Sequence, residues 1–393
     1  MDENASEKSK TTTEMATGED EEMKTLSLFN QTSTLGGIHF LLLVNRTQMH
    51  YFILIMPVYL VHSYMVWGIV ALGLLSQLNL MMLSKWFTSN YATRGYQGIV
   101  QLFGKRTVQV FAIFGFLIIL LKISIITLGY VEMLHNFIYP SMNKKWLILF
   151  ILSISLFVAS HGMEKTLQFV VIAFFCGAWI LIMFIPFFFT PIANYRDLYP
   201  LIPTEWSGQS WQGLLFIWSA FSGPVYLVFM VPWLSSNKKI SKYLVIGNML
   251  TIIEYSLLFI ASVLFYGSNF LSKINFPVVY MGSYIQMSGL ERIDYILISF
   301  HMFNYVFDIS ILLLCLYGAA RVFMKKMNKG TTRIGLLSSW FVILISIIIM
   351  DQWLWQTVPG QKMLLNIQIW LGAFIYLLVP TILFTMIKRK ERV

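Results

Sequence analysis

The sequence predicts an all-α polytopic membrane protein with ten transmembrane helices, arranged as two five-helix halves of inverted topology. Three observations carry this. Hydrophobic residues make up 57% of the 393 and charged residues only 12%, about half the charged share of a soluble domain. Apolar runs close to the ~20 residues needed to cross a ~30 Å hydrocarbon core recur ten times. Prolines interrupt the first run (Pro57) and the sixth (Gly223-Pro224), the two spans that correspond when the second half repeats the first upside down.

Taken in order, residues 1–25 hold eight carboxylates, among them Glu19, Asp20, Glu21 and Glu22, against Lys8, Lys10 and Lys24. With almost no apolar clustering, this stretch reads as a disordered acidic cytoplasmic tail. It lacks the basic start and apolar run of a signal peptide. Residues 26–47 are half apolar and contain Gly36-Gly37; they read as a lead-in at the membrane surface, before a membrane domain over 48–390. Its spans are expected at 48–64, 66–87, 108–138, 146–160, 167–190, 211–233, 242–266, 291–323, 335–353 and 363–387. The first two leave only His62, Ser63 and Tyr64 for a turn.

The formal charge of +10 does not point to nucleic acid, because Lys and Arg gather in short loops on one side. With the N-terminus inside, eighteen basic residues, Arg46 among them, fall on the cytoplasmic side. The other side receives Lys144, Lys145, Arg196, Lys273, Arg292 and Lys362. Both termini are therefore expected inside. The basic runs beside the last spans suit the anionic headgroups of the lipid bilayer. Loops 191–210 and 267–290 are long enough to cover a cavity mouth. Cys176 and Cys315 both sit in apolar runs and imply no disulfide framework. No catalytic, zinc or phosphate-loop motif is present, so neither an enzyme nor a cofactor is expected.

The interrupted sixth span marks the expected binding region. Gly223 favours opening the helix and Pro224 removes a backbone donor. Freed backbone groups at membrane depth need protein or a wet cavity to satisfy them. Ser219, Ser222 and Tyr226 add hydroxyls, Phe221 lines the break, and Pro57 and Tyr59 stand on the first span. Charges inside spans are costly and need partners. Lys122 and Asp308 lie about 18 and 20 Å from opposite ends of the third and eighth spans at 1.5 Å per residue, and are expected to form an ion pair. His301 and Asn304 precede Asp308 on roughly its face, and Glu254 is a carboxylate within the seventh span.

Several segments in order along residues 45–390 make the chain similar to the B subunits of bacterial spore germinant receptors, the spore germination permeases of the amino acid, polyamine and organocation transporter superfamily. They are NRTQ (45–48), HGMEK (161–165), YPLIPTEW (199–206), MVPWL (230–234), NFPVV (275–279) and GLERID (289–294). The resemblance implies a LeuT-like fold in the spore inner membrane, both termini facing the core. It also implies a subunit that senses a small nutrient such as an amino acid beside A and C subunits and triggers germination; the alternative is an ion-coupled amino acid permease. At the sixth break the family presents a Phe-Gly-Glu-like segment where this chain has Phe221-Ser222-Gly223. The missing acid leaves Asp308 or backbone carbonyls to meet a ligand amine.

Overall fold

The computed structural model describes residues 25–26, 28–48, 50–203, 206–234, 239–285, 293–327 and 329–391. The acidic tail, apart from Thr25, lies outside the described residues. So do Thr204 and Glu205 of the YPLIPTEW segment, and residues 286–292, which include most of GLERID.

Among the described residues, the regular elements are helices apart from one two-residue strand pair, Thr25–Leu26 with Thr331–Thr332. Its principal helices are α1 (Gly37–Arg46), α2 (His50–Leu60), α3 (Met65–Phe87), α4 (Lys105–Phe137), α5 (Lys144–Ser160), α6 (Val170–Met183), α7 (Gly208–Ala220), α8 (Ile240–Tyr266), α9 (Ile293–Phe323), α10 (Arg333–Met350) and α11 (Val358–Glu391). Among the described residues, eight helical stretches are long and apolar enough to cross a membrane. The 17-residue α5 and the short pair α1–α2 add further apolar helix.

Burial separates inner helices from outer ones. The apolar windows of α9, of Gly208–Phe229 and of α8 are 78%, 67% and 56% buried, against 28–39% for the other five. Because lipid is as apolar as a Leu side chain, outward-facing hydrophobic residues such as Trp353 and Trp370 need no protein partner. The inner helices α8 and α9 bury Glu254, Asp294, His301, Asn304 and Asp308. α9 packs along α4, α5 and α6, α8 packs on α1 and α3, and α7 packs between α2, α3 and α11.

The sixth-span break falls where Gly223-Pro224 places it. α7 stops at Ala220, and the chain resumes at Gly223 as a 3₁₀ helix to Phe229. The first span requires correction. Within residues 26–47, expected as a surface lead-in, α1 begins at Gly37, buries Phe40, Leu42, Leu43 and Val44, and ends at Arg46. The chain does not break at Pro57, which lies buried inside α2. The interruption is at Thr47–Gln48, with Met49 outside the described residues. Side chains explain the position. At the end of α1, Gln48 Nε2 takes up Val44 O (3.0 Å) and His50 Nε2 takes up Arg46 O (2.6 Å), while Thr47 Oγ1 adds a second donor to Leu43 O (2.7 Å), which already accepts from Thr47 N (2.9 Å). A helix end satisfied in this way is stable away from water.

α2 turns into α3 through residues 61–64, which hold the three residues expected there, and Ser63 Oγ donates to Asp197 O across to the 191–210 loop (2.8 Å). The helix Pro277–Tyr284 from the second long loop buries Val278, Val279 and Met281 and packs on α2, α8 and α9. It covers one end of the helices that carry the polar groups described next.

Candidate functional site

The two interruptions meet. A Cβ built on Gly223 would overlap the carbonyl of Thr47 and lie 2.6 Å from Gln48 N, so backbone touches backbone and only glycine fits. Around this contact α1, α2, α8 and α9 assemble a buried polar cluster.

One half of the cluster is an ion pair between Arg46 of α1 and Glu254 of α8, whose side chains are 3% and 9% exposed. Asn45 Nδ2 donates to Glu254 Oε2 (2.8 Å) and to Thr251 Oγ1 (3.1 Å), while Arg46 Nε donates to Asn45 Oδ1 (2.7 Å). Arg46 Nη1 reaches Asn304 Oδ1 of α9 at 3.5 Å, and the guanidinium lies over the Phe174 ring, 5.5 Å from its centroid. All three guanidinium nitrogens and both carboxylate oxygens have a partner, and such added hydrogen bonds are what make a buried ion pair tolerable. Asn248, six residues from Glu254, points elsewhere: it donates to Gly73 O of α3 (2.9 Å).

Space for Arg46 comes from Gly177 of α6, where a Cβ would overlap the guanidinium and lie 3.3 Å from Asn304 Nδ2. Overpacking a fitted core costs about 1–3 kcal/mol. Gly177→Ala is accordingly expected to lower the thermal midpoint of the purified protein, and an unchanged midpoint would show that Arg46 has room to move.

The other half is a stripe on α9. His301, Asn304, Tyr305 and Asp308 follow the i, i+3, i+4, i+7 spacing of one helix face, and all are buried. Each carries an atom without a hydrogen-bond partner in the protein: both ring nitrogens of His301, Asn304 Nδ2, Tyr305 Oη and Asp308 Oδ2. Gln48 Oε1 at the first break is unpartnered too. Buried polar groups are normally satisfied, so this concentration marks where water or a polar ligand belongs. Tyr130 of α4 fixes the stripe, stacking on Tyr305 (4.2 Å between centroids) and donating to Ile298 O (3.0 Å).

The expected Lys122–Asp308 ion pair does not form. Asp308 Oδ2 faces His50 Nε2 at 3.7 Å. The flexible stem of Lys122 carries its ammonium to the face of Tyr226 instead, 4.2 Å from the ring centroid. Depth along two helices sets how far apart such groups lie vertically but not the direction in which each leaves its helix. Ser219 and Ser222 also face away from this cluster. A Cβ on Gly372 of α11 would overlap Ser219 Oγ and lie 3.3 Å from Ser222 Oγ. Phe221 is fully buried and packs on Tyr255 (5.1 Å). Pro57 is buried, and Tyr59 stacks on Phe216 of α7 (4.4 Å) beyond the break. Of the expected site residues, then, Gly223 touches the first break, Asn304 and Asp308 lie in the cluster and Lys122 stands at its edge. Arg46 and His50 were not expected in it.

A family model described as spore germination protein matches residues 35–357. The spore germination protein GerQB of Bacillus cereus is 26% identical over 195 residues, 49% of this chain and 52% of that protein, so the match spans about half the length of the relative. Among solved structures, a Na⁺-coupled sialic acid symporter in a substrate-bound outward-open state superposes with a TM-score of 0.62 over 93% of this chain and 81% of that one, at 14% identity. A manganese transporter of Eremococcus coleocola superposes at 0.53 over 90% and 80%, also at 14% identity. At such identity the likeness establishes the fold, that of the LeuT-type transporters, and nothing about what is bound.

Proposed function

Because the chain belongs to the spore germination protein family, we propose that it is the nutrient-sensing membrane subunit of a spore germinant receptor and that its ligand is a zwitterion such as an amino acid. In this reading the chain crosses the spore inner membrane ten times as two inverted five-helix halves, counting α1–α2 as the first crossing and α5 as the fourth. Both termini face the core, and A and C subunits read the conformational change. Moving Arg46 from the cytoplasmic loops into the site leaves the bias of basic residues toward that side intact.

The observation that supports a zwitterion is the distribution of charge. Arg46 and Glu254 neutralise each other, whereas Lys122 and Asp308 are buried without pairing to each other. A lone charge at mid-membrane costs roughly 3 kcal/mol or more. One molecule carrying both an ammonium and a carboxylate satisfies both groups: Asp308 with Tyr305 receives the ammonium, and Lys122 receives the carboxylate. A ligand that binds one conformation more tightly than another shifts the balance between them, which is all a sensor requires.

The test is binding of radiolabelled amino acids, screened across the twenty, to the purified chain in liposomes. Saturable binding that falls at least tenfold in Lys122→Met and in Asp308→Asn is the expected result; full binding in both variants would remove the proposed recognition. The fold shared with a Na⁺-coupled symporter favours a second reading, an ion-coupled amino acid permease. Concentrative uptake driven by an ion gradient would establish that one, and binding without net flux would support the sensor.

A further inference from the structure

The chain ahead of the first span does more than lead into it. Leu28 is 1% exposed; its N–H donates to Thr331 Oγ1 (3.3 Å) and its carbonyl accepts from Met163 N (2.8 Å). Phe29 stacks on Tyr317 of α9 (6.0 Å) under the guanidinium of Arg321 (5.8 Å). Trp233, just past the 3₁₀ half of the sixth span, donates from Nε1 to Asn30 O (3.3 Å), and its carbonyl accepts from Leu35 N (2.9 Å). The densest contact is at Glu164, in the short helix Met163–Gln168 between α5 and α6. Its carboxylate accepts from Thr32 N (2.9 Å), Thr32 Oγ1 (2.7 Å), Ser33 N (3.4 Å) and Ser33 Oγ (2.6 Å). Charge-assisted bonds of this kind are the strong ones, and four converge on one side chain.

Residues 28–35 thus tie together the short helix between α5 and α6, the end of the sixth span and the α9–α10 loop, and they continue through Gly36 into α1. α1 is ten residues long, about 15 Å at 1.5 Å per residue, and ends on Arg46. We propose that residues 28–35 are a strap that holds α1 in place, with Glu164 as its clasp, so that the ion pair and the two touching breaks keep their arrangement only while the strap is fastened. Releasing Glu164 frees α1 as a unit from its Gly36 end, while α2, beyond the break, stays seated. The inference concerns regulation of the site proposed above, but its structural core does not depend on which ligand occupies that site.

The test is hydrogen–deuterium exchange of the full chain in detergent, without ligand. Glu164→Gln removes the charge but keeps the size; Ser33→Ala removes one of the four bonds; Lys165→Gln, at an exposed neighbour, is the control. In Glu164→Gln, exchange is expected to rise tenfold or more over residues 28–46 while residues 50–60 stay within twofold of wild type. Ser33→Ala should give a smaller rise in the same peptides and Lys165→Gln none. Faster exchange that ends at Leu35, with α1 as protected as in wild type, overturns the proposal. Should Glu164→Gln fail to fold, Ser33→Ala decides by the same pattern. A failure of amino acid binding leaves this readout untouched, so the two proposals stand or fall separately.

Discussion

Replacing Glu254 with Ala is expected to destabilise the protein by about 3–5 kcal/mol, the cost of removing one partner from a buried ion pair. The reason lies in what remains. Arg46 cannot shed its proton, and without Glu254 its neighbours are Asn45 and Asn304, with the face of Phe174, all neutral. Arg46→Met should cost a similar amount through the stranded carboxylate, softened because a carboxyl group can take up a proton. The double variant Arg46→Met/Glu254→Leu removes both charges and fills the space with apolar groups, so it should recover most of the loss. Thermal or denaturant unfolding in one detergent measures all three. Additive costs in the double variant would mean that the two residues act independently and that the pair does not hold α1 to α8.

The same pair marks where sequence reasoning reached and where it stopped. The Gly223-Pro224 break was legible because a missing N–H and a missing Cβ act locally. The common face of His301, Asn304 and Asp308 was legible because helical periodicity alone fixes it. The first break was not. Pro57 is the conspicuous helix breaker, yet the chain is interrupted at Thr47–Gln48, where the Gln48 and His50 side chains replace lost backbone partners. An available signal was the polar run Asn45-Arg46-Thr47-Gln48 inside a stretch from Ile38 to Leu60 that is otherwise apolar but for His39 and His50. Taken as one span, that stretch has Arg46 near its middle, where a charge demands a partner, and Glu254 was one of several carboxylates inside the expected spans without one. Lys122 and Asp308 failed to pair for a different reason. Rise per residue gives depth, but the azimuth of a long side chain depends on packing that no single helix encodes.

Gly223 and Gly208 offer a contrast of sign. A Cβ at Gly208, the first residue of α7, would meet nothing within 4 Å. Alanine there removes the entropic cost of glycine in a helix and is expected to be neutral or to stabilise by up to about 1 kcal/mol. At Gly223 the added carbon would meet the Thr47 carbonyl and the Gln48 nitrogen. Those atoms belong to the backbone of the first break, so no rotamer change relieves the overlap. Gly223→Ala should therefore destabilise by about 1–3 kcal/mol, and Gly223→Leu by more. Separating the breaks also shifts Thr47 and Gln48, whose side chains hold the end of α1, and with them Arg46. Amino acid binding should thus fall at least tenfold in Gly223→Leu and stay unchanged in Gly208→Ala, measured at a temperature where both variants remain folded. Wild-type affinity in folded Gly223→Leu would mean that the contact between the breaks serves packing alone.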